Sequence, residues 1–233
     1  MPYLQRDGDV YVLYLGLEGQ TDSDNRFHPD WMDQVHALLD QVEASQGPAA
    51  LVTTATGKIF SNGLDTDWLA GNFDKTHSYL DRVHSVFARV LALPMTTVAA
   101  MNGHAFGAGA MLASAHDFRV MRSDRGFYCL PEASLNMPFP VGMNALVTTR
   151  LVNQVAVEAM TTSRRYGADD ALAAGIVDEV AGAEEVLARA VARAAANAGR
   201  RGGNLGLIKA GLHRDLLAAL AVPTDASNLI FAN

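Results

Sequence analysis

One glutamate stands out in this chain because it lies among apolar residues. Glu132 belongs to the segment YCLPEASLNMPFP, residues 128–140. A buried carboxylate without a charge partner has a raised pKa, which lets it accept and release a proton near neutrality. The alternative is an ordinary surface glutamate at a helix N-terminus, and this segment by itself leaves both interpretations open.

A run of small residues, NGHAFGAGAM at 102–111, precedes that glutamate. A strand-like segment enters the run and a helix-like segment leaves it. Helix N-termini carry unpaired amides, and small side chains let a ligand oxygen approach them closely. Tight helix packing explains the same composition. A dinucleotide-binding loop fits poorly, because the third small residue of that motif is missing after Gly107 and Gly109.

The turn FSNGLD, residues 60–65, offers a second amide. Asn62 and Gly63 form a strong turn dipeptide, which is a sufficient structural explanation. The functional hypothesis is that the Leu64 backbone N–H points into the same site. A lone carboxylate facing such amides suits proton abstraction next to a carbonyl group.

The other residues that could act in catalysis or bind a metal do not form a recognisable motif. His104 and His116 have no acidic or thiol partners at metal-ligand spacing, so we expect structural roles and no metal site. Asp117 is expected to end the small-residue helix. The chain has no Gly-x-Ser-x-Gly motif, which argues against a hydrolase of that type.

The bulk composition indicates an ordinary globular protein of 233 residues with a net charge of −7. The charge argues against nucleic acid and anionic membranes as partners. The only cysteine, Cys129, excludes an intrachain disulfide and fits a reducing compartment. The N-terminus shows no apolar leader, and no apolar run approaches bilayer length, so a cytoplasmic location is expected.

The hydrophobic pattern predicts an α/β fold in which parallel strands alternate with helices. The predicted strands cover residues 10–15, 49–54, 96–101 and 118–121. The predicted helices cover residues 29–42, 77–92 and 109–116. After Gly142 the pattern becomes almost wholly helical, with a last helix at about 205–220. We therefore predict a core over residues 1–165 and a helical region over 166–233.

Four segments in order resemble the crotonase superfamily, the enoyl-CoA hydratase/isomerase family. Residues 59–65 (IFSNGLD) resemble its first oxyanion-hole segment and residues 98–109 (VAAMNGHAFGAG) its second. Residues 128–132 (YCLPE) resemble the segment that holds a catalytic glutamate. Residues 166–178 (YGADDALAAGIVD) resemble a helical segment of the family.

The resemblance implies a spiral of ββα units with a C-terminal helical region, assembled as a homotrimer or hexamer. It implies an acyl-CoA thioester substrate and no separate cofactor. Leu64 and Ala108 would supply the oxyanion amides, and Glu132 the base. The last helices, near Lys209, would help to cover the CoA site. The candidate substrate-binding residues are Ser61, Asn62, Thr66, Met111, Leu135, Phe139 and Met143.

One departure from the family pattern bears on the reaction. Family hydratases use two glutamates, and the first would fall at Met111, which cannot transfer protons. A single glutamate at position 132 resembles the Δ3,Δ2-enoyl-CoA isomerases. The alternatives are another crotonase-type reaction (a hydratase, thioesterase or decarboxylase, with His104 or Asn136 as the extra polar group) and a non-catalytic acyl-CoA-binding protein.

Overall fold

The computed structural model describes residues 1–231, in which short strands alternate with helices. The strands are β1 (Tyr3–Asp7), β2 (Val10–Tyr14), β3 (Ala50–Thr54), β4 (Ile59–Ser61), β5 (Thr97–Met101), β6 (His104–Phe106), β7 (Phe118–Arg122), β8 (Tyr128–Cys129) and β9 (Glu179–Ala181). The helices are α1 (Pro29–Ala44), α2 (Thr66–Ala70), α3 (Thr76–Ala92), α4 (Ala108–Ala115), α5 (Val141–Arg150), α6 (Asn153–Thr162), α7 (Ala168–Ala173), α8 (Val186–Ala195), α9 (Gly203–Leu212) and α10 (Arg214–Leu220).

The larger sheet has the strand order β1-β2-β3-β5-β7-β9, with β1 antiparallel to β2 and every other pair parallel. Every residue of β3 and β5 is buried. That burial explains their continuous apolar sequences, because helices cover both faces of a parallel sheet. The predicted α/β class with parallel strands is confirmed. The four predicted strands coincide with β2, β3, β5 and β7 to within one residue at each end.

The prediction of an almost wholly helical chain after Gly142 is wrong at β9. This strand pairs with β7 and closes the edge of the large sheet. Helix α8 also packs on this sheet, where Ala190 and Ala194 are fully buried in a cluster with strand residues such as Val52. The expected last helix is two helices, α9 and α10, which meet at His213. The division into regions 1–165 and 166–233 stays a prediction about their separate roles.

A second, smaller sheet is formed by β4, β6 and β8, which are parallel to one another. Sequence periodicity predicted none of these strands, because each has only two or three residues. Parallel strands end at one common edge of a sheet, and the segments that leave them are therefore brought together. None of the helices in the described part of the chain has the length and apolarity of a membrane span.

Candidate active site

The small sheet places three functional segments side by side at its carboxyl edge. Leu64 follows the last residue of β4 by three positions, and Ala108 follows β6 by two. Glu132 follows β8 by three positions. The three segments that the sequence singled out separately thus leave neighbouring parallel strands, at the edge where ligands usually bind in such sheets.

The turn that carries Leu64 is fixed by buried hydrogen bonds. The Ser61 hydroxyl donates to the Asn25 carbonyl at 2.7 Å and accepts from the Gly63 amide at 3.1 Å. Gly63 has φ of 81°, and a Cβ there would lie 2.8 Å from the Ala108 nitrogen. Glycine is therefore required at this position for two reasons: its positive φ and its close approach to α4. Within residues 1–231 the Leu64 amide has no hydrogen-bond acceptor.

The second amide belongs to the first residue of α4. Gly107 precedes it with φ of 50°, a conformation that turns the chain from β6 directly into the helix. No side chain caps this end, and the Ala108 N–H has no acceptor among the described residues. The helix dipole adds partial positive charge at the same point. Two unpaired amides therefore lie on adjacent segments.

The segment after β8 turns Glu132 toward these amides. Leu135 N donates to the Pro131 carbonyl at 3.0 Å, and Met137 N donates to the Glu132 carbonyl at 2.9 Å. A Cβ placed on Gly107 would lie 3.3 Å from Glu132 Oε1. Oε2 is buried and has no hydrogen-bond partner in the described chain. Burial raises the pKa of Glu132 to about 7, because no cation offsets the lost hydration.

A cavity of about 100 Å³ opens beside the glutamate and the two amides. Among the described residues that line it, Glu132 is the only titratable side chain, and most of the others are apolar. The lining comprises Asn62, Leu64, Thr66, Leu69, Thr76, Leu80, Gly107, Ala108, Pro131, Glu132, Leu135, Met137, Pro138, Pro140, Met143, Leu229 and Phe231.

Comparison with known proteins identifies the family of this chain. The family model described as enoyl-CoA hydratase/isomerase matches residues 14–228. The chain belongs to the enoyl-CoA hydratase/isomerase family. The resemblance to the crotonase superfamily, and to its enoyl-CoA isomerases, is thereby confirmed.

Relatives within the enoyl-CoA hydratase/isomerase family include plant isomerases. Enoyl-CoA delta isomerase 3 of Arabidopsis thaliana is 36% identical over 184 residues, which are 76% of each chain. Peroxisomal enoyl-CoA delta isomerase 1 of the same plant is 30% identical over 220 residues, which are 92% of this chain and 90% of that one.

Solved structures confirm the crotonase-type fold. A Mycobacterium tuberculosis protein described as an enoyl-CoA isomerase superposes with a TM-score of 0.84 at 26% identity, over 97% of this chain and 96% of that one. A second structure of the same protein, described as a probable enoyl-CoA hydratase, gives the same score and identity over 97% and 94% of the two chains. The fold by itself therefore does not distinguish the two reactions.

The cavity brings together most of the residues predicted for the site. Glu132, Leu64 and Ala108 line it, and so do the predicted substrate-binding residues Asn62, Thr66, Leu135 and Met143. Three other predicted residues lie outside the lining: Ser61, Met111 and Phe139. Ser61 is fully buried beneath the turn, and Met111 is fully buried one helical turn into α4. The roles assigned to all these residues stay predictions.

Several lining residues carried no signal in the sequence. Leu69 and Leu80 come from α2 and α3, and Leu229 and Phe231 come from the C-terminal segment. These residues are ordinary apolar residues in the sequence. Only the folded chain shows that they converge on Glu132.

The remaining candidate residues have structural surroundings. His116 lies between the Leu112 carbonyl and the Thr53 hydroxyl, each at 2.8 Å, and burial lowers its pKa to about 4. His104 stacks on Phe106 and is absent from the cavity lining. Among the described residues, no cluster of three or more His, Cys, Asp or Glu side chains could hold a metal ion.

Lys209, in the last helices, forms an ion pair within its own subunit. It is 4% exposed, and its Nζ donates to Asp117 Oδ2 at 2.9 Å and to the Met95 carbonyl at 3.1 Å. The Lys209 ammonium is therefore held inside its own subunit. The expectation that the last helices, near Lys209, help to cover the CoA site stays a prediction.

Proposed function

We propose that the protein is an enoyl-CoA isomerase that moves the double bond of a 3-enoyl-CoA to the 2-position. The observation that carries this proposal is that Glu132 is the single titratable side chain among the described residues of the cavity lining. A 1,3-proton transfer needs only one base, provided that the same carboxylate reaches both carbons on one face of the substrate.

The mechanism follows from the arrangement of Glu132 and the two amides. Glu132 in its carboxylate form removes a proton from C2, and the electron pair moves into the thioester to give a dienolate. The N–H groups of Leu64 and Ala108 stabilise the oxygen that becomes negative, each by roughly 3 kcal/mol. Glu132 then returns the proton to C4, which restores the thioester with the double bond between C2 and C3. The reaction requires no cofactor beyond the CoA that the substrate carries.

A pKa of about 7 suits this role. The group is partly ionised at neutral pH, so it can remove a proton, and its conjugate acid is strong enough to return it. A carboxylate with an ordinary pKa would be a weaker base, and one held by an ion pair would be weaker still.

The surroundings of α4 support isomerisation over hydration. A hydratase must hold and activate a water molecule with a second polar group, and the position where family hydratases carry that group is Met111, which is fully buried and apolar. His104 and Asn136, the other candidates for an extra polar group, do not line the cavity. These observations also disfavour the thioesterase and decarboxylase alternatives.

A polar cleft next to the cavity supports a CoA thioester as the substrate. The cleft has a volume of about 430 Å³ and shares five lining residues with the cavity: Asn62, Leu64, Thr66, Pro131 and Leu135. Arg26 and Arg165 lie in its wall. The thioester would sit at the shared residues, with the acyl group in the apolar cavity and the phosphate-bearing part near Arg165.

A third and larger cleft, of about 690 Å³, is a poorer site for phosphates. Its wall carries four aspartates, Asp24, Asp30, Asp65 and Asp67. Arg26 borders this cleft as well, but it forms ion pairs with Asp24 and Asp67. Carboxylates repel phosphate groups, so we place the CoA on the side of Arg165.

The test is a pair of absorbance assays on the purified protein and on Glu132→Gln. We expect the unmodified protein to convert 3-hexenoyl-CoA to the conjugated 2-isomer and to hydrate 2-hexenoyl-CoA negligibly. Glu132→Gln should reduce isomerisation by about 100-fold or more, because an amide cannot act as the base.

Glu184→Gln is the matched control, since Glu184 is exposed on the far side of the large sheet near α8. It should retain full activity. Near-normal turnover by Glu132→Gln would refute the assignment of the base. Robust hydration by the unmodified protein would show that a second proton-transfer group exists and would favour a hydratase.

We also propose that the protein assembles as a homotrimer or hexamer. Helix α9 supports this, because Leu207, Ile208 and Leu212 are 73%, 65% and 72% exposed. Apolar patches of this kind on a single subunit usually mark an interface. Sedimentation at micromolar protein should give three or six chains, and Leu212→Glu should shift it toward monomer while Leu172→Glu on α7 does not. A monodisperse monomer of the unmodified protein would contradict the proposal.

A further inference from the structure

The C-terminal segment returns to the active site after α10. The Thr224 amide donates to Asp81 Oδ1 on α3 at 2.8 Å. The next residues form a single turn, in which Leu229 N donates to the Asp225 carbonyl at 2.9 Å. The Asp225 carboxylate caps this turn by accepting from the Ser227 amide at 2.7 Å. The segment is thus bound to α3 and held in a defined turn.

The three residues at the end of this segment alternate between the cavity and solvent. Leu229 is 5% exposed and lines the cavity. Ile230 is 69% exposed and is absent from the lining. Phe231 lines the cavity again and is 47% exposed. Leu229 and Phe231 therefore contribute to the cavity wall, whereas Ile230 between them does not.

Leu229 and Phe231 complete a wall whose other residues come from distant parts of the chain. Leu80 of α3 and Met143 of α5 line the cavity as well. Residues 80 and 143 belong to helices of the packed core, whereas residues 229 and 231 belong to a short terminal segment. Residues 229 and 231 lie outside regular secondary structure, so this part of the wall can be altered without changing a helix or strand.

We infer that Leu229 and Phe231 set the length of acyl group that the site accepts, restricting it to short chains. This inference rests on the proposed function, since it assigns the acyl group to the apolar cavity. A cavity of about 100 Å³ leaves little room beyond the reacting carbons. A longer acyl chain would have to displace Leu229 or Phe231, and would lose the contacts that bind it.

The experiment compares Leu229→Ala and Phe231→Ala with Ile230→Ala, the outward-facing neighbour. The measured quantity is the ratio of kcat/KM for 3-dodecenoyl-CoA to that for 3-hexenoyl-CoA. We expect each inward variant to raise the ratio by about tenfold or more, because the fit of a few methylenes in an apolar pocket changes specificity by at least that factor. Ile230→Ala should leave the ratio unchanged. Equal ratios in all three variants and the unmodified protein would overturn the inference.

Calorimetric binding of hexanoyl-CoA and dodecanoyl-CoA, which cannot isomerise, separates this inference from the proposed function. A chain-length shift in binding without any isomerase activity would sustain the role of the segment and refute the isomerase. Isomerase activity with no chain-length shift in binding or kinetics would support the isomerase and refute the role of the segment. Failure of both ligands to bind would refute both. Phe231→Ala keeps the test valid if Leu229→Ala does not fold, since residue 231 is half exposed.

Discussion

The polar groups at the C-terminal end of helix α4 are hydrogen-bonded, whereas an amide and a carboxylate oxygen at its N-terminal end have no partner in the described chain. At the C-terminal end, Arg150 donates to the Ser114 carbonyl at 2.8 Å and to the His116 carbonyl at 2.7 Å. Beyond it, Asp117 accepts from the Thr97 amide and from Lys209, both at 2.9 Å. At the N-terminal end, the Ala108 amide and Glu132 Oε2 have no partner within residues 1–231.

The paired end therefore has a structural role, whereas the unpaired end is the one that we propose binds the substrate. Buried polar groups in folded proteins are almost always hydrogen-bonded, because an unpaired one costs free energy. The fold satisfies this requirement around Asp117 with side chains from three distant segments. It leaves the requirement unmet at the N-terminal end, where, under the proposed function, a thioester oxygen would accept from the Ala108 amide and a substrate C–H would face Glu132.

The largest effect on stability should come from removing a hydrogen-bond partner at the C-terminal end of α4, where the polar groups are paired. Lys209→Met removes the ammonium from the Asp117 carboxylate and from the Met95 carbonyl. Without the ammonium, the partly buried Asp117 carboxylate keeps only the Thr97 amide as a hydrogen-bond partner within residues 1–231, and the Met95 carbonyl loses its lysine donor, so we expect a loss of roughly 3 kcal/mol in the free energy of unfolding. Denaturant unfolding measures it.

Lys58→Met is the matched control for that change, because Lys58 is exposed. It should alter the free energy of unfolding only slightly. Turnover per folded molecule should be unchanged in Lys209→Met, since the lysine lies outside the cavity. Loss of turnover with intact stability would show that the two ends of α4 are not separate, and that Lys209 acts on the reaction.

The same comparison shows what could be predicted from the sequence. The segments around Leu64, Ala108 and Glu132 were recognisable because their residue types and order are specific, and long buried strands such as β3 have a clear apolar pattern. Strands β4, β6 and β8, which position those segments, were not predicted, since two or three residues carry no periodicity. Their existence depends on pairing between residues far apart in the chain.

The contacts of Lys209 and of the C-terminal segment could not be predicted from the sequence for a similar reason. A lysine in an apolar helix is compatible with a buried ion pair or with a ligand site, and only the position of Asp117, 92 residues earlier, decides between them. Leu229 and Phe231 are ordinary apolar residues that belong to no motif in the sequence. The contact with Asp81 that brings them to the cavity spans 143 residues.

A smaller, pH-dependent effect on stability is expected from Glu132, beside the N-terminal end of α4. Burial raises the pKa of Glu132 from 4.5 to about 7 in the folded protein. Between these values the folded state holds a proton that the unfolded state has released, so the free energy of unfolding falls as pH rises and levels off above pH 7. At about 1.4 kcal/mol per pKa unit, the rise from 4.5 to about 7 corresponds to at most about 3.5 kcal/mol, of which about 2.5 kcal/mol is lost between about pH 5 and about pH 8. Turnover should rise over the same range, because the base must be ionised.

Denaturant unfolding at about pH 5 and about pH 8, at a fixed protein concentration, tests this with Glu132→Gln. The unmodified protein should lose stability relative to the variant as pH rises, whereas Glu184→Gln should follow the unmodified protein. Parallel pH dependences for all three would show that Glu132 has found a partner or water in solution. The two ends of α4 would then be alike, and the case for a base held ready at neutral pH would lose its electrostatic support.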